Sequence, residues 1–424
     1  MHRIAIIGSG YVGLTTGACF AHLGHDVICA DIDAAKLAML TDGRIPIHEE
    51  GLEALVRENL GAGRLRFVLG AANAVEGCEF VYLCVPTPQG IDGSADLSFI
   101  ETAAREISPH LDRGAIVVNK STVPVGSTRL VEQALGRSDV FVVSNPEFLR
   151  EGSAVNDFLH PDRVVIGADD PSVASRVASL YLGVRAPILI TDAPSAETIK
   201  YASNAFLATK LSFVNAVSAV CEAVGADIND VMLGIGYDRR VGHDLLKPGP
   251  GWGGSCFPKD TRAMIRIAED AGYDFAFLRG VIAVNYEQFE RVVQKVLDAA
   301  GGSVDGHRVG VLGLTFKAGT DDLRDSPALE ITNRLIRHGA IVRAYDPTVS
   351  RPIFDDIEVV PDPYAACENA QVAVVLTEWD EFKWLDLDKL AETMTNRNIV
   401  DARNILDRGA LLRRGFNYRS IGRR

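Results

Sequence analysis

Ile4-Ala5-Ile6-Ile7-Gly8-Ser9-Gly10-Tyr11-Val12-Gly13 is the stretch that decides the fold of this 424-residue chain. An apolar strand runs into glycines spaced G-x-G-x-x-G, and a helical pattern follows over Leu14 to His22. A second strand, Asp26 to Ala30, ends in Asp31. Strand, glycine turn, helix and distal acid in this order are typical of a dinucleotide-binding unit. A purely structural glycine turn is the alternative.

The turn predicts how a dinucleotide is held. Gly8 permits the tight turn, Gly10 lets the backbone approach the pyrophosphate, and Gly13 lets the helix pack on the strand. Asp31 is expected to bind the adenosine ribose and to disfavour a 2′-phosphate, so NAD is predicted rather than NADP. Lys36 either contacts the adenine or ribose of the dinucleotide, or it is an ordinary surface lysine. The predicted cofactor-binding residues of the turn are Gly8, Gly10, Tyr11, Val12 and Gly13.

The apolar segments predict two α/β domains around a helical centre. Ser195 to Val224 contains no Gly or Pro, which predicts a helix about 45 Å long. A second strand-and-turn pattern begins at His307. We therefore expect two Rossmann-like doubly wound domains joined by a long central helix and a helical middle domain, with boundaries at 1–190, 191–300 and 301–424. Buried parallel strands are predicted at Arg3 to Ile7, Asp26 to Ala30, Phe80 to Cys84, Ala115 to Asn119, Phe141 to Ser144 and Val164 to Ala168.

The composition and charge of the chain limit the classes of molecule that it is expected to bind. With 47% apolar residues the chain can bury a large core. A formal charge of −13 argues against nucleic acid and anionic membrane surfaces. Neither a signal segment nor an uninterrupted apolar run of about 18 residues is visible, so a cytoplasmic protein without a membrane partner is expected. Seven cysteines and nine histidines lack ligand spacing, which predicts no disulfide framework and no metal site.

Cys256 stands apart from the other cysteines because of its surroundings. It follows the glycine-rich segment Pro248 to Ser255 and precedes a helix that Pro258 can initiate. At a helix N-terminus beside Lys259, its thiolate form should be favoured. A thiolate can hold an aldehyde between two oxidations, which predicts a four-electron dehydrogenase. The alternative is a packed core cysteine.

Further polar side chains are expected near the thiol and the cofactor. Lys200 and Asn204 lie four residues apart on one face of the long helix, either as oxyanion donors or as a structural hydrogen-bond pair. Thr87 and Thr122 follow predicted strand ends, where doubly wound sheets bind ligands. Their hydroxyls can reach the nicotinamide ribose or an active-site water.

Together these motifs resemble the UDP-glucose/GDP-mannose dehydrogenase family over essentially the whole chain. The resemblance implies that two NAD oxidise the C6 hydroxyl of UDP-glucose to a carboxylate through a thiohemiacetal and a thioester on Cys256. The C-terminal domain would bind the sugar nucleotide. The motifs that carry the resemblance are Gly8 to Gly13, Lys120 to Pro124, Asn145 to Gly152, Lys200 with Asn204, Gly253 to Asp260, and Phe316-Lys317 with Arg324.

The resemblance also implies roles for single residues. Cys256 would be the nucleophile, Lys200 and Asn204 would stabilise oxyanions, and Asp260 and Thr122 would position or activate water. Glu147 would act near the sugar and water, although this acid and Glu151 could instead be solvated loop charges. The implied cofactor contacts outside the glycine turn are Asp31, Lys36, Thr87, Thr122, Glu151, Lys259 and Arg324. The implied substrate contacts are Glu147, Phe148, Leu149, Arg150, Glu151, Lys200, Asn204, Arg240, Leu245, Leu246, Lys247, Pro248, Gly249, Gly253, Phe316, Lys317 and Arg403.

Arg240 matches an arginine that reaches the neighbouring subunit's substrate, which implies a homodimer or a higher homo-oligomer. The second Rossmann-like unit has Gly313 to Lys317 without the second and third glycines, so it is not expected to bind a dinucleotide. Within the family, GDP-mannose and UDP-N-acetylmannosamine remain alternative substrates, although the amino-sugar branch usually carries His at the position of Ser255. A two-electron hydroxyacid dehydrogenase, which would not need Cys256, and a silent NAD-binding regulator are alternatives of other classes.

Overall fold

A computed structural model describes residues 1–88, 90, 95–350 and 355–423. The chain divides into two compact units. The first contains Met1–Ser203 and Arg262–Ala271, and the second contains Asn204–Thr261 and Gly272–Arg424. Both units therefore include residues of the long central helix and of the helix that follows Cys256.

Each unit is built on its own sheet. The strands of the first are β1 (Arg3–Ile7), β2 (Asp26–Asp31), β3 (Leu65–Leu69), β4 (Phe80–Leu83), β5 (Ile116–Asn119), β6 (Phe141–Ser144), β7 (Val164–Gly167) and β8 (Ile188–Thr191). Those of the second are β9 (Arg308–Leu312), β10 (Ile341–Tyr345), β11 (Ile357–Val359), β12 (Val372–Val375), β13 (Asn398–Asp401) and β14 (Asn417–Ser420).

Helices connect most of the strands. They are α1 (Tyr11–His22), α2 (Ala34–Thr41), α3 (Leu52–Gly61), α4 (Ala72–Val75), α5 (Ser98–Ile107), α6 (Ser127–Leu135), α7 (Ala154–Leu159), α8 (Pro171–Ala178), α9 (Ala193–Val224), α10 (Ile228–Gly236), α11 (Phe257–Asp270), α12 (Ala276–Ala299), α13 (Pro327–Arg337), α14 (Pro363–Cys367), α15 (Leu387–Thr393) and α16 (Arg408–Arg413). Short 3₁₀ turns lie at Ser108–His110, Ser179–Tyr181 and Asp380–Trp384.

The first sheet has the order β3-β2-β1-β4-β5-β6-β7-β8. Ile4 and Ile6 of β1 pack into one apolar cluster, whereas Ala5 and Ile7 pack into another. Since alternate residues of a strand point to opposite faces, both faces of this sheet are covered. The order reverses between β1 and β4, and in doubly wound folds ligands bind at the carboxyl ends of strands at such a point.

The second sheet has the order β11-β10-β9-β12-β13-β14, with every pair parallel. Val311 and Leu312 of β9 belong to separate apolar clusters, so this sheet is also covered on both faces. The predicted repetition of the α/β pattern in the C-terminal third is therefore present.

Three details of the first sheet differ from the sequence-based expectation. The strands β3 and β8 were not predicted, because they lie at the sheet edges and lack a fully buried apolar run. The sheet is not entirely parallel, since β7 pairs with β6 in the antiparallel direction through Ser144 and Gly167. The strand β8 is then parallel to β7.

The central helix α9 begins two residues before its predicted start. Asp192 accepts the Ser195 N–H at 2.8 Å, and Pro194 falls in the first turn, where its missing N–H is tolerated. In the described residues α9 alone is long and apolar enough to cross a membrane, with 33% of its most apolar window buried. Core helices of soluble proteins can be equally long and apolar, so the expected absence of a membrane partner stays a prediction.

Candidate active site

In the glycine turn after β1, two glycines are required by the fold, whereas a third has a use only if a ligand binds there. Gly8 has φ +96°, and a Cβ atom there would lie 2.7 Å from the Cys84 carbonyl oxygen. A Cβ atom on Gly13 would overlap the carbonyl oxygen of Gly8. Gly10, which precedes α1, would meet no described atom within 4 Å. The open space at Gly10 and the N-terminus of α1 fit the pyrophosphate of a dinucleotide.

Asp31 lies at the end of β2 and binds the turn. It accepts the N–H of Ser9 at 3.0 Å and the Ser9 hydroxyl at 2.6 Å, while Lys36 Nζ lies 2.8 Å away. Burial acts to raise the pKa of Asp31, but Lys36 and the hydrogen bonds from Ser9 and Asp33 lower the pKa to about 2. Lys36 is thus held by Asp31, and an ionised acid stands at the strand end whose acid binds the ribose hydroxyls in dinucleotide-binding folds.

The turns after β4 and β5 are tied together. Thr87 donates its hydroxyl to the Thr122 carbonyl at 2.9 Å, and Ser121 donates its hydroxyl to the Val85 carbonyl at 2.7 Å. Thr122 itself is buried. The two threonines predicted from separate strand ends therefore belong to one local cluster.

Glu147 and Lys200 form a buried ion pair. Lys200 Nζ lies 2.7 Å from Glu147 Oε1, with side chains only 5% and 4% exposed. Glu147 Oε2 accepts the Leu149 N–H at 2.6 Å, and the Phe148 ring centre lies 5.5 Å from Lys200 Nζ. Burial is the largest single influence and acts to raise the pKa of Glu147, but the charge and hydrogen bond of Lys200, the Leu149 N–H and the charge of Lys120 together lower the pKa. Glu147 is therefore a buried carboxylate and not a solvated loop charge.

The segment after Phe148 is anchored by two acids, neither of which was singled out from the sequence. Arg150 Nη2 lies 2.5 Å from Asp157 Oδ1. The buried Glu49 accepts the N–H groups of Gly152 and Ala154, both at 2.7 Å. Tyr11 also accepts the Gly152 N–H, at 2.8 Å, through its hydroxyl oxygen. The flanking His48 and Glu50 make Glu49 look like part of a solvated charged loop, so the sequence contains no signal for this anchor.

In the second unit, Cys256 differs from the other cysteines in exposure. All seven cysteines lie in the described part of the chain; six are buried and Cys256 is partly exposed. It directly precedes α11, and its carbonyl accepts the Asp260 N–H at 2.8 Å. The Ser255 hydroxyl oxygen lies 3.5 Å from the Cys256 sulfur. The predicted placement of the thiol at a helix N-terminus is confirmed.

The glycines before Cys256 serve close packing within the second unit. A Cβ atom on Gly253 would overlap the Asp325 carbonyl oxygen. One on Gly254, where φ is +82°, would lie 2.8 Å from the Phe316 ring. The backbone at Asp325 and the side chain of Phe316 therefore approach these two glycines closely.

Three amide side chains hold this loop, and none was singled out from the sequence. Asn215 accepts the Gly249 N–H at 3.0 Å, and Gln288 donates to the Gly249 carbonyl at 2.8 Å. Asn285 accepts from the Trp252 N–H at 2.8 Å and donates to the Trp252 carbonyl at 2.9 Å. Their positions in α9 and α12 are far from the loop in sequence, so only the fold reveals the contacts.

Asn204, Asp260 and Lys259 form a second cluster. Asn204 donates its amide to Asp260 Oδ2 at 2.5 Å, and Lys259 Nζ lies 2.6 Å from Asp260 Oδ1. The Asp260 side chain is fully buried. Asn204 therefore has a partner, and the charge of Lys259 is shared with this carboxylate.

Some predicted substrate residues are brought together in the second unit. Arg403 donates to the Phe316 carbonyl at 3.0 Å and would lie 3.4 Å from a Cβ atom on Gly249. Lys317 Nζ lies 5.6 Å from the Phe316 ring centre. Along the segment before Gly249, Leu246 and Pro248 are buried whereas Leu245 and Lys247 are exposed.

Two predicted arginines are exposed, and each pairs with the aspartate two residues before it. Arg240, 89% exposed, lies 2.6 Å from Asp238, and Arg324, 64% exposed, lies 2.6 Å from Asp322. Among the described residues no cluster of three or more His, Cys, Asp or Glu could hold a metal ion. The predicted absence of a metal stays a prediction.

Comparison with known proteins gives matches along the whole chain. Models of the UDP-glucose/GDP-mannose dehydrogenase family match residues 2–184 (NAD binding domain), 194–287 (central domain) and 310–408 (UDP binding domain). The chain is 45% identical over 435 residues to UDP-glucose 6-dehydrogenase of Rhizobium meliloti, with 99% of each covered. It is 44% identical over 432 residues to UDP-glucose 6-dehydrogenase TuaD of Bacillus subtilis, with 100% and 94% covered.

The structure of a UDP-glucose dehydrogenase from the hyperthermophilic archaeon Pyrobaculum islandicum superimposes with a TM-score of 0.92. Sequence identity is 38%, and 100% of this chain and 98% of the other are covered. These matches confirm the α/β fold with its Rossmann-type domain and long central helix, and they confirm NAD as the cofactor. The domain boundaries and the roles of single residues stay predictions.

Proposed function

Because the chain belongs to the UDP-glucose/GDP-mannose dehydrogenase family, we propose that this NAD-dependent oxidoreductase converts UDP-glucose to UDP-glucuronate in a four-electron oxidation. The NAD binding and UDP binding domains of the family models support the two ligands. The observation that carries the four-electron reaction is Cys256, the one partly exposed cysteine among seven described. A two-electron dehydrogenase has no need of such a thiol.

The first unit supplies the cofactor site. Gly8, Gly10 and Gly13 shape the turn that would hold the pyrophosphate, and Asp31 would bind the adenosine ribose. When bound, NAD accepts one hydride in each of the two oxidations. Thr87 and Glu151 are proposed as further cofactor contacts of this unit, and the cofactor contact of Arg324 stays a prediction.

The chemistry at C6 is proposed to proceed on Cys256. After the alcohol has lost a hydride and a proton, the thiolate sulfur bonds to the aldehyde carbon as the carbonyl π bond breaks. The resulting oxyanion takes up a proton and gives a thiohemiacetal. Loss of a second hydride and proton leaves a thioester. Water, positioned by Asp260 and Thr122, attacks the thioester carbonyl, the carbon–sulfur bond breaks, and the carboxylate and the thiol are released.

Lys200 and Asn204 are suited to stabilise the oxyanions of this sequence. Each is a buried donor already oriented by an acid, Lys200 by Glu147 at 2.7 Å and Asn204 by Asp260 at 2.5 Å. Donors fixed before the reaction need little reorganisation when charge develops on the substrate oxygen. This arrangement favours catalytic donors over a purely structural pair.

The sugar nucleotide would bind the second unit. Lys317 and Arg403 lie near Phe316 there, Arg403 also approaches Gly249, and the charges of the two side chains suit a diphosphate. We propose the loop from Leu245 to Gly249 as the wrapping segment.

We also propose a homodimer. Along α9 the apolar residues Phe206, Phe213, Val220 and Val224 are 55% to 72% exposed in the single chain. Their spacing places them along one side of the helix, and exposed apolar stripes of this kind mark protein interfaces. In such a dimer the exposed Arg240 would be available to the partner's substrate. A cytoplasmic location, without a nucleic-acid or membrane partner, is part of the same proposal.

Stoichiometry tests the reaction. The protein is incubated with NAD and, in separate assays, with UDP-glucose, GDP-mannose or UDP-N-acetylmannosamine, and NADH and product are measured. We expect two NADH for each UDP-glucose consumed. One NADH with release of an aldehyde would contradict the thioester route, faster turnover of another sugar nucleotide would reassign the substrate, and no turnover of any would favour a silent binder.

Cys256→Ser tests the nucleophile. We expect steady-state turnover to fall by at least about a thousandfold because the hydroxyl is a far weaker nucleophile, with NAD affinity unchanged. Cys221→Ala, at a buried cysteine of α9, is the matched control and should retain turnover. Near-normal turnover of Cys256→Ser would show that the thiol is not the nucleophile.

A further inference from the structure

Three buried polar side chains form a stripe along α9. Glu197, Lys200 and Asn204 lie at positions i, i+3 and i+7, which share one face of a helix. They are 2%, 4% and 6% exposed, and each binds a different loop or helix end. Lys200 and Asn204 have proposed catalytic roles, whereas Glu197 has none.

Glu197 binds the end of the loop between β5 and α6. Its Oε2 accepts the Gly126 N–H at 2.6 Å, and its Oε1 accepts both the N–H and the hydroxyl of Thr128, at 2.9 and 2.7 Å. Gly126 is in the left-handed region with φ +96°. Both oxygens of the side chain therefore face donors, a pattern that only a carboxylate can satisfy.

A carboxylate in this place is costly to bury. Burial raises the pKa of Glu197, and the hydrogen bonds from Thr128 and Gly126 only partly oppose that shift. No described lysine or arginine forms an ion pair with it. A buried acid held by neutral donors is expensive, and such groups occur where a fixed geometry is needed.

The loop that Glu197 holds is the one that carries Thr122. We infer that Glu197 is a positioning residue that sets the place of Thr122 relative to Lys200, because it ties the end of the Thr122 loop to the helix turn before Lys200. The inference rests on the proposed function, in which Thr122 positions the water that hydrolyses the thioester. It assigns to Glu197 an effect on that step and not on ligand binding.

Glu197→Gln is the test. The amide nitrogen would face the N–H of either Gly126 or Thr128, so one end of the loop is released. We expect kcat to fall about ten- to a hundredfold, since a displacement near 1 Å can cost that much. The KM values for UDP-glucose and NAD should fall with it, so that kcat/KM changes less than about twofold, because hydrolysis follows thioester formation. A burst of NADH followed by slow turnover, and a uronyl adduct on the protein by intact-mass spectrometry, should reveal accumulated thioester.

Two further variants sharpen the result. Glu197→Asp keeps both oxygens and should recover part of the lost kcat. Thr128→Val removes only one hydrogen bond and should slow the same step by about two- to fivefold, so it decides the question if Glu197→Gln does not fold. Glu222→Gln, another partnered acid of α9, is the matched control and should show no adduct.

The outcomes separate the two proposals. Wild-type protein that does not oxidise UDP-glucose would refute the proposed function. Normal wild-type turnover together with an unchanged kcat in Glu197→Gln would refute only the role of Glu197. The role of Glu197 would also be refuted if turnover fell together with Tm and no adduct accumulated. A rise in the KM for NAD at unchanged kcat would refute it as well.

Discussion

The two sheets begin with the same turn and continue differently. Gly8 and Gly313 have φ values of +96° and +95°. Each donates its N–H to the neighbouring strand, Gly8 to Ala30 at 2.9 Å and Gly313 to Tyr345 at 2.8 Å. In both, the next N–H donates to an acid at the end of that strand. The strand-to-turn geometry is thus common to both units.

The turns diverge two residues later. After Gly10 the helix α1 begins at once, with Tyr11. In the second unit Thr315 takes the corresponding place and gives both its N–H and its hydroxyl to Asp346, at 3.1 and 3.0 Å. The next helix begins only at Pro327. A helix N-terminus directly behind the glycines suits a dinucleotide phosphate, and the first turn has one whereas the second does not.

Gly13→Ala should break the first turn most severely. Its Cβ atom would overlap the Gly8 carbonyl oxygen, so the backbone must move, and we expect the free energy of unfolding to fall by about 3 kcal/mol. Denaturant unfolding measures the loss. Gly61→Ala, where nothing described lies within 4 Å of a Cβ atom, is the control and should be neutral or slightly stabilising. Equal stability of both variants would contradict the close approach.

Gly10→Ala should separate ligand binding from folding. Its φ of −73° suits alanine and the Cβ atom meets open space, so stability should change by less than about 0.5 kcal/mol. NAD affinity should fall about a hundredfold, or about 2.7 kcal/mol, because the methyl group occupies the space of the pyrophosphate. Calorimetric titration with NAD provides the measurement. Thr315→Ala in the second turn should leave NAD affinity unchanged. A weakened NAD affinity of that variant would contradict the distinction between the two turns.

Asp31→Asn should have the smallest effect. With a pKa lowered to about 2, Asp31 is ionised at neutral pH, so its loss should weaken NAD about tenfold and reduce the preference over NADP. A lowered acid pKa stabilises the fold above the ordinary pKa near 3.9, and this contribution disappears as pH falls through about 2. The difference in Tm between wild type and variant should therefore be constant above pH 5 and shrink below pH 4. A difference that grows on acidification would contradict the assigned shift.

The sequence predicted the parts of the fold that repeat a local rule. Buried runs such as β4 and β5, the glycine turn and the helix α1 were found because each is encoded within a few residues. Edge strands were missed, since half-exposed residues such as those of β8 carry no distinct pattern. The position of β7 was predicted but its antiparallel direction was not, because strand direction depends on the path of the chain between strands.

In the site, too, residues that stand in local patterns were predicted, and residues that act through long-range contacts were not. Asp31, Cys256 and the pair Lys200 and Asn204 stood in recognisable patterns. Glu49 and Asn285 did not, because their role is a contact with a backbone far away in sequence. A side chain that anchors a distant loop needs only one hydrogen-bond acceptor in the right position. Its neighbours in the sequence therefore form no pattern that distinguishes it from other polar residues.

By itself the sequence determined the chemistry available to this protein: a dinucleotide turn, one thiol at a helix start and cations for a sugar nucleotide. Only the tertiary structure decided which groups are paired. It joined Glu147 to Lys200, Asn204 to Asp260, and Glu197 to the Thr122 loop. The physical reason is that local propensity and spacing act within a few residues, whereas a buried charge must find its partner wherever the fold brings one within about 3 Å.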